Sequence, residues 1–250
     1  ARAQARVEQA APFIIAGGPA ATSNPEPVAD FFDLFAIGDG EESAVKIINL
    51  ITKFRNSTGG RSVPEWEQSL KQACLAELAQ IDGIYVPQYY SYDYYPDGRV
   101  AGRQIKHPSA PAIINKQTVN LDTAFFPVRR IVPFIETAHN RLNIEIARGC
   151  RWRCRFCQAT VAYAPFRERR VETIYQLVQS GLASTGYEEI SLSSLSTGDY
   201  SQIEELIAKL WQDFGPQRIK LGIPSLRFDT LSDRMIELIC RFPPTTITFA

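Results

Sequence analysis

From Leu142 onward the chain alternates short apolar runs with amphipathic stretches, and this alternation limits its fold more than any other feature. Leu142–Ala147, Glu189–Leu195, Arg218–Ile223 and Thr245–Phe249 read as strands, and about Val171–Ala183, Ser201–Phe214 and Leu231–Arg241 read as helices between them. Strands separated by helical stretches of about ten or more residues join as a parallel sheet, because parallel neighbours need a crossover connection. In a β/α barrel of this kind the chemistry sits at the C-terminal edge of the strands. The first such edge, after Ala147, releases the run Arg148-Gly149-Cys150-Arg151-Trp152-Arg153-Cys154-Arg155-Phe156-Cys157.

That run holds three of the five cysteines at the spacing CxxxCxxC. Three thiolates on one tight loop suit a soft metal centre or an iron–sulfur cluster. A closed structural site would want a fourth ligand nearby. None follows until Cys240, and both histidines, His107 and His139, lie upstream. A zinc knuckle that borrows a distant ligand, or buried cysteines that coincide in spacing, are the plain alternatives. Zinc knuckles have no need of a β/α repeat, so the scaffold favours a cluster with one open position. Cysteines grouped in this way argue for metal rather than a disulfide framework.

Charge adds a local feature and excludes a global one. Lys+Arg and Asp+Glu both number 27, so no overall excess asks for nucleic acid or a membrane surface. Arg148, Arg151, Arg153, Arg155, Arg167, Arg169 and Arg170 nevertheless crowd the cysteine loop, opposed there by Glu168 alone. They form either a solvated basic rim or a field for an anionic cluster, a carboxylate or a phosphate. No secretory signal or long apolar run is visible, so a soluble, cytoplasmic protein is expected.

Upstream, residues 1–10 have helical composition, and Phe13–Ala16 reads as a buried strand inside a parallel sheet. Gly17-Gly18-Pro19 and the turn-rich Thr22–Pro27 follow, then a strand over Phe31–Ile37 and a helix over about Ser43–Phe54. Asn56–Arg61 reads as an exposed link and Pro64 as the start of a helix through Leu70, Cys74 and Leu78, with Cys74 a small core residue. Residues 83–106 read as a tyrosine-rich β-hairpin turning at Pro96-Asp97-Gly98. Pro108, Pro111, Pro127 and Pro133 keep residues 107–141 irregular. The expected fold class is α/β: a partial doubly wound sheet over 1–60, a connector with helix and hairpin over 61–141, and the N-terminal part of a β/α barrel over 142–250. The barrel stops after about four strands, so the chain is expected to be an internal piece of a longer protein.

The cysteine spacing, with Phe156 before the last cysteine, resembles the signature of the radical S-adenosylmethionine (SAM) superfamily. Arg148–Thr160, Tyr163–Arg169 and Thr185–Tyr200, with Asp39–Glu42 and Asp97–Arg99, are similar to a bacterial subfamily that carries a cobalamin-binding-like domain before a methylthiotransferase-related TIM-type barrel. The resemblance implies a [4Fe–4S] cluster on Cys150, Cys154 and Cys157 whose open iron binds SAM. It implies reductive cleavage of SAM to a 5′-deoxyadenosyl radical, for hydrogen abstraction or methyl or methylthio transfer. It places SAM against Phe156, Thr197, Gly198, Asp199, Ser225 and Arg227; the plain alternatives are a core plug for Phe156, a helix cap for Asp199 and an ion pair with Asp229 or Asp233 for Arg227. Gly17 and Gly18 match the subfamily's cobalamin-tail glycines; the cobalt-ligating DxHxxG is absent from these residues, so cobalamin rests on that match alone. An electron donor such as flavodoxin or ferredoxin is implied, and kinship to methylthiotransferases suggests RNA as a substrate. The competing class is a non-catalytic iron–sulfur or zinc-binding scaffold.

Overall fold

The structure, a computed structural model, describes residues 12–57, 68–135, 137–244 and 247–249. Two compact units divide the chain between Val119 and Asn120. The helix expected over 1–10 and the one expected to begin at Pro64 start outside the described residues.

The first unit is built on strands β1 (Ile15–Ala16) and β2 (Leu34–Ala36), with helix α1 (Gly18–Ser23) and a 3-10 turn over Glu26–Phe31 between them. Pro19 sits in the first turn of α1, where its missing N–H costs nothing, so a helix replaces part of the expected turn-rich segment. Helix α2 (Glu41–Ser57) follows and overruns the expected link at Asn56; helix α3 (Gln68–Leu78) and strand β3 (Ile84–Tyr85) come next. β1 pairs with β2 in parallel, and β3 joins β2 antiparallel with Phe35 opposite Tyr85. Two expectations change here. Phe13–Ala16 does not form an inner strand: β2 is its one neighbour among the described residues, and Ile14 and Ile15 stay 38% and 39% exposed. Ile84–Tyr85, read as part of the hairpin, instead closes the sheet. The hairpin itself is β4 (Tyr90–Tyr94) against β5 (Val100–Ile105), with Tyr92 opposite Arg103. Cys74, Leu75 and Leu78 of α3 pack into one core with Leu34, Phe35, Ile47 and Ile84. Cys74 is fully buried as expected, and burial pushes its thiol up to about 12.

The second unit carries strand β6 (Leu142–Glu145), the short β7 (Ala147–Arg148), helix α4 (Ala159–Ala162), β8 (Arg167–Glu168), α5 (Val171–Thr185), β9 (Glu189–Ser193), α6 (Ile203–Phe214), β10 (Lys220–Gly222) and α7 (Asp233–Ile239). β6, β9 and β10 form a parallel sheet with β9 central; Leu142 faces Ile190 across it, Ile144 faces Leu192 and Leu221 faces Ile190. All five side chains are fully buried. Helices α5, α6 and α7 cover the sheet with Ile174, Val178, Leu206, Leu210 and Leu238 at helical spacing. The alternation read from the sequence therefore becomes three βα repeats with shorter strands than expected. Of the fourth strand, Thr245 and Thr246 lie outside the described residues, and Phe249 makes a parallel bridge to Leu226. A left-handed Gly186 ends α5, its N–H on Leu182 O at 2.9 Å, and the Ser232 hydroxyl accepts from Met235 N at the start of α7.

Candidate functional site

The cysteine loop runs from β7 to α4 and contains neither helix nor strand. Its base is fixed on both sides. β7 and β8 pair antiparallel, with Arg148 opposite Arg167, so the chain entering the loop is stitched to the chain leaving it. Gly149 crosses that return closely: its φ is +91°, and a Cβ there would lie 2.9 Å from Phe166 Cα and 2.9 Å from Tyr163 O. Alanine pays for the left-handed backbone and for the clash together. Gly149→Ala is expected to cost about 2–5 kcal/mol in urea unfolding and to lower iron uptake with it.

The five cysteines are free; Cys150 and Cys154 are half-buried and Cys157 is exposed. Cys157 N donates to Cys154 O at 3.0 Å, which makes a tight turn between the last two. The expected convergence of three sulfurs is not preformed: among the described residues no three Cys, His, Asp or Glu side chains are gathered to hold a metal. The donor chemistry still fits a cluster. Three accessible thiols share one loop without regular structure, and none is tied up in a disulfide.

Most of the basic rim is structural. Arg148 forks onto Glu145, both contacts at 2.8 Å; Arg151 reaches Glu168 at 3.4 Å and lies over the Phe166 ring; Arg170 pairs with Asp122 at 3.0 Å. Arg169 is buried and donates to the carbonyls of Glu145 and Leu121. Exposed Arg153 and Arg155 are the loop guanidiniums with no partner among the described residues. Glu168 also accepts from Ser201 N at 2.7 Å, which ties the loop's return to the start of α6.

Three loops at the C-terminal edge of the sheet meet at Trp152, a residue the sequence reading passed over. Its indole Nε1 donates to Asp199 Oδ2 at 2.6 Å, and the Arg227 guanidinium stacks on its ring at 4.0 Å from the centroid. Asp199 belongs to the turn after β9 and Arg227 to the segment after β10. Arg227 in turn forks onto Asp229, Nε at 3.0 Å and Nη2 at 2.6 Å, the ion pair that was its plain alternative. That hydrogen bond holds Arg227 above its ordinary value, and the charges of Asp229 and Asp199 reinforce it. The same bond holds the Asp229 carboxyl below the usual carboxylate range.

The remaining expected residues divide. Thr197 is fully buried and spends its hydroxyl on Pro224 O at 2.7 Å, while its N–H bonds Ser225 O at 3.1 Å. Ser225 supplies that carbonyl from a strained φ of +56°. Gly198 is required by space, since a Cβ would lie 2.0 Å from Thr230 Oγ1. These three lock the β9 and β10 loops together. Ser196 Oγ, at the start of the same turn, is buried with no partner among the described residues. Phe156 is 92% exposed, so the core-plug alternative falls: its ring faces solvent from the loop. Gly17 and Gly18 lie in the first unit at the end of β1, where Gly18 has φ +87° and opens α1. His139 precedes β6, at the opposite end of that strand from the cysteine loop, and touches Arg141 at 2.7 Å.

Comparison with known proteins bears on what such a loop does. A family model described as "Radical SAM superfamily" matches residues 144–250, and one described as "Radical SAM proteins, N-terminal" matches residues 1–87. An uncharacterized protein of Methanocaldococcus jannaschii is 28% identical over 95% of this chain and 42% of its own length. A tRNA-2-methylthio-N(6)-dimethylallyladenosine synthase of Staphylococcus haemolyticus is 30% identical over 44% of this chain and 22% of its own. A ribosomal protein uS12 methylthiotransferase of Pelotomaculum thermopropionicum is 27% identical over 82% of this chain and 47% of its own. The chain thus spans under half the length of each of these relatives. Among solved structures, the radical SAM methyltransferase TsrM of Kitasatospora setae, with cobalamin and a [4Fe–4S] cluster bound, superposes with a TM-score of 0.58 at 13% identity, over 95% of this chain and 42% of that one. At that identity the likeness concerns the mixed α/β fold.

Proposed function

Because the chain belongs to the radical SAM superfamily, we propose that it is the cluster-bearing portion of a radical SAM enzyme, with a [4Fe–4S] cluster on Cys150, Cys154 and Cys157 and SAM at the open iron. One observation carries this reading: the loop with three free cysteines leaves the C-terminal edge of a parallel sheet, where Asp199 and Arg227 from the next two loops converge on Trp152. When bound, the cluster supplies the electron that cleaves SAM to a 5′-deoxyadenosyl radical.

The chain's own part is to bind and orient. Arg227 is suited to the SAM carboxylate and Asp199 to an N–H of its amino group. Phe156 offers an exposed ring to the adenine. Thr197, Gly198 and Ser225 hold the two loops that carry Asp199 and Arg227 together. In this reading the three βα repeats open a radical SAM barrel, and the first unit corresponds to a cobalamin-binding-like domain, with Gly17 and Gly18 on the cofactor side. The reaction is hydrogen abstraction or methyl or methylthio transfer. Relatives named for tRNA and for a ribosomal protein make RNA or protein the substrate classes to try first, and the unpaired Arg153 and Arg155 favour a phosphate-bearing one. A cytoplasmic setting with flavodoxin or ferredoxin as reductant completes the proposal; no helix among the described residues is long and apolar enough to cross a membrane.

The test uses the full-length protein. After anaerobic reconstitution and reduction, an EPR-active cluster is expected whose spectrum shifts on adding SAM, with release of 5′-deoxyadenosine. Zinc in place of iron, or a cluster indifferent to SAM, would sink the proposal and leave a binding scaffold.

A further inference from the structure

The contacts around Trp152 have a shape that the proposed chemistry does not by itself require. Asp199 Oδ2 receives an N–H donor at 2.6 Å, and both donors of the Arg227 fork receive the two oxygens of Asp229 at 3.0 and 2.6 Å. A donor on the aspartate and a carboxylate on the arginine are the two ends of an α-amino acid. The indole N–H stands for an α-amino N–H, and Asp229 stands for an α-carboxylate. The Trp152 ring, stacked on Arg227 at 4.0 Å, links the two halves.

Resting on the reading above, we propose that Trp152 and Asp229 are internal surrogates for the amino-acid end of SAM, and that SAM binds by exchange with them. Trp152 is then a positioning residue: its ring holds the Arg227 guanidinium flat, while its N–H keeps Asp199 engaged until the amino group of SAM displaces it. The surrogates are built to be displaced. Asp229 is 58% exposed and Arg227 31%, so their pairing is screened and opens cheaply. Trp152 is 39% exposed, so an arriving ligand can reach its indole. The buried Ser196 hydroxyl at the same turn offers a further polar contact to an arriving ligand.

The opposing role is an ordinary structural one, in which Trp152 builds the pocket and its loss weakens binding. Conservative variants separate the two. Trp152→Phe keeps a ring for Arg227 but removes the N–H that competes for Asp199, and Asp229→Asn frees the guanidinium fork from a charged competitor. In full-length, anaerobically reconstituted protein with iron content matched to wild type, equilibrium dialysis with labelled SAM is expected to show Trp152→Phe binding roughly threefold to tenfold tighter. Asp229→Asn is expected to bind about twofold to fivefold tighter. Trp152→Ala, which loses both stacking and N–H, is expected to gain less than Trp152→Phe. Unchanged or weaker binding by Trp152→Phe at full iron content overturns the proposal. Should that variant load less iron, Asp229→Asn decides: tighter binding upholds surrogacy and unchanged binding refutes it. Failure of wild type to bind SAM at all removes the radical SAM reading, whereas failure of the variants alone removes the surrogates.

Discussion

Substituting serine for any one of Cys150, Cys154 or Cys157 is expected to abolish the cluster and with it all cleavage of SAM, lowering 5′-deoxyadenosine by orders of magnitude to background. The size of the effect follows from the number of ligands. A closed four-ligand site can lose one and keep metal weakly, but a cluster held by three protein thiolates has no protein ligand in reserve. The sequence offers no further cysteine near the loop, since none follows until Cys240, and both histidines lie upstream. The two other cysteines provide controls. Cys240 is exposed and lies in the turn after α7; Cys240→Ser is expected to keep full iron content. Cys74 lies in the first unit's core with its thiol pushed up to about 12, so it does not supply a thiolate at neutral pH. Cys74→Ser is expected to retain the cluster while losing some stability from a buried hydroxyl. Iron per chain after reconstitution, read beside the EPR signal, checks all five. Full iron retained after any single loop substitution would show that the three cysteines do not act as one ligand set.

How much was legible in the sequence depended on whether the information was local. Helices α5, α6 and α7 and strands β6, β9 and β10 could be read because their burial is periodic: Val171, Ile174 and Val178 recur at helical spacing, and Ile190 and Leu192 alternate with Glu189, Ser191 and Ser193 along their strand. β3 was misread because Ile84–Tyr85 continues smoothly into the tyrosine run, and only its pairing with Phe35 and Ala36 shows that it belongs to another sheet. The cysteine spacing was likewise local and legible. Trp152 was not, since its meaning lies in Asp199 and Arg227, 47 and 75 positions away along the chain, and no pattern within the loop marks them as partners. The basic rim shows the same limit from the other side. Seven arginines read as one group, either a solvated rim or a field for an anion, yet Arg148, Arg151, Arg169 and Arg170 are each consumed by partners that folding supplies. A signal for Lys71 was present and went unused: it precedes Cys74, Leu75 and Leu78 by three, four and seven residues, on the buried stripe of α3.

That lysine carries the second large expected effect. Lys71 Nζ lies 2.9 Å from Asp33 Oδ1, with side-chain exposures of 2% and 7%, so the pair sits inside the first unit's core. Its ammonium also faces the Phe13 ring at 5.1 Å, and Asp33 Oδ2 accepts from Ile14 N at 2.7 Å while Asp33 N donates to Ile14 O at 2.8 Å. One ion pair therefore holds α3 to the segment between the 3-10 turn and β2 and, through Asp33, to the chain entering β1. Removing one partner leaves the other charge buried and uncompensated, which typically costs about 3–5 kcal/mol. Lys71→Met is expected to destabilise the first unit by that amount, a large share of the roughly 5–15 kcal/mol by which domains are stable. Because two units need not unfold together, hydrogen exchange resolved by peptide is the measurement: amides of Leu34–Ala36 and Gln68–Leu78 should lose protection while those of β6, β9 and β10 keep it. The double variant Asp33→Leu/Lys71→Met, which removes both charges and fills the space with apolar atoms, is expected to recover most of the loss, since a matched buried pair adds little over a hydrophobic replacement. A single variant as stable as wild type would mean that water reaches Asp33 once the lysine is gone. A double variant as unstable as the single would mean that the bond from Asp33 to Ile14 N, and not the ion pair, is what holds β1 in place.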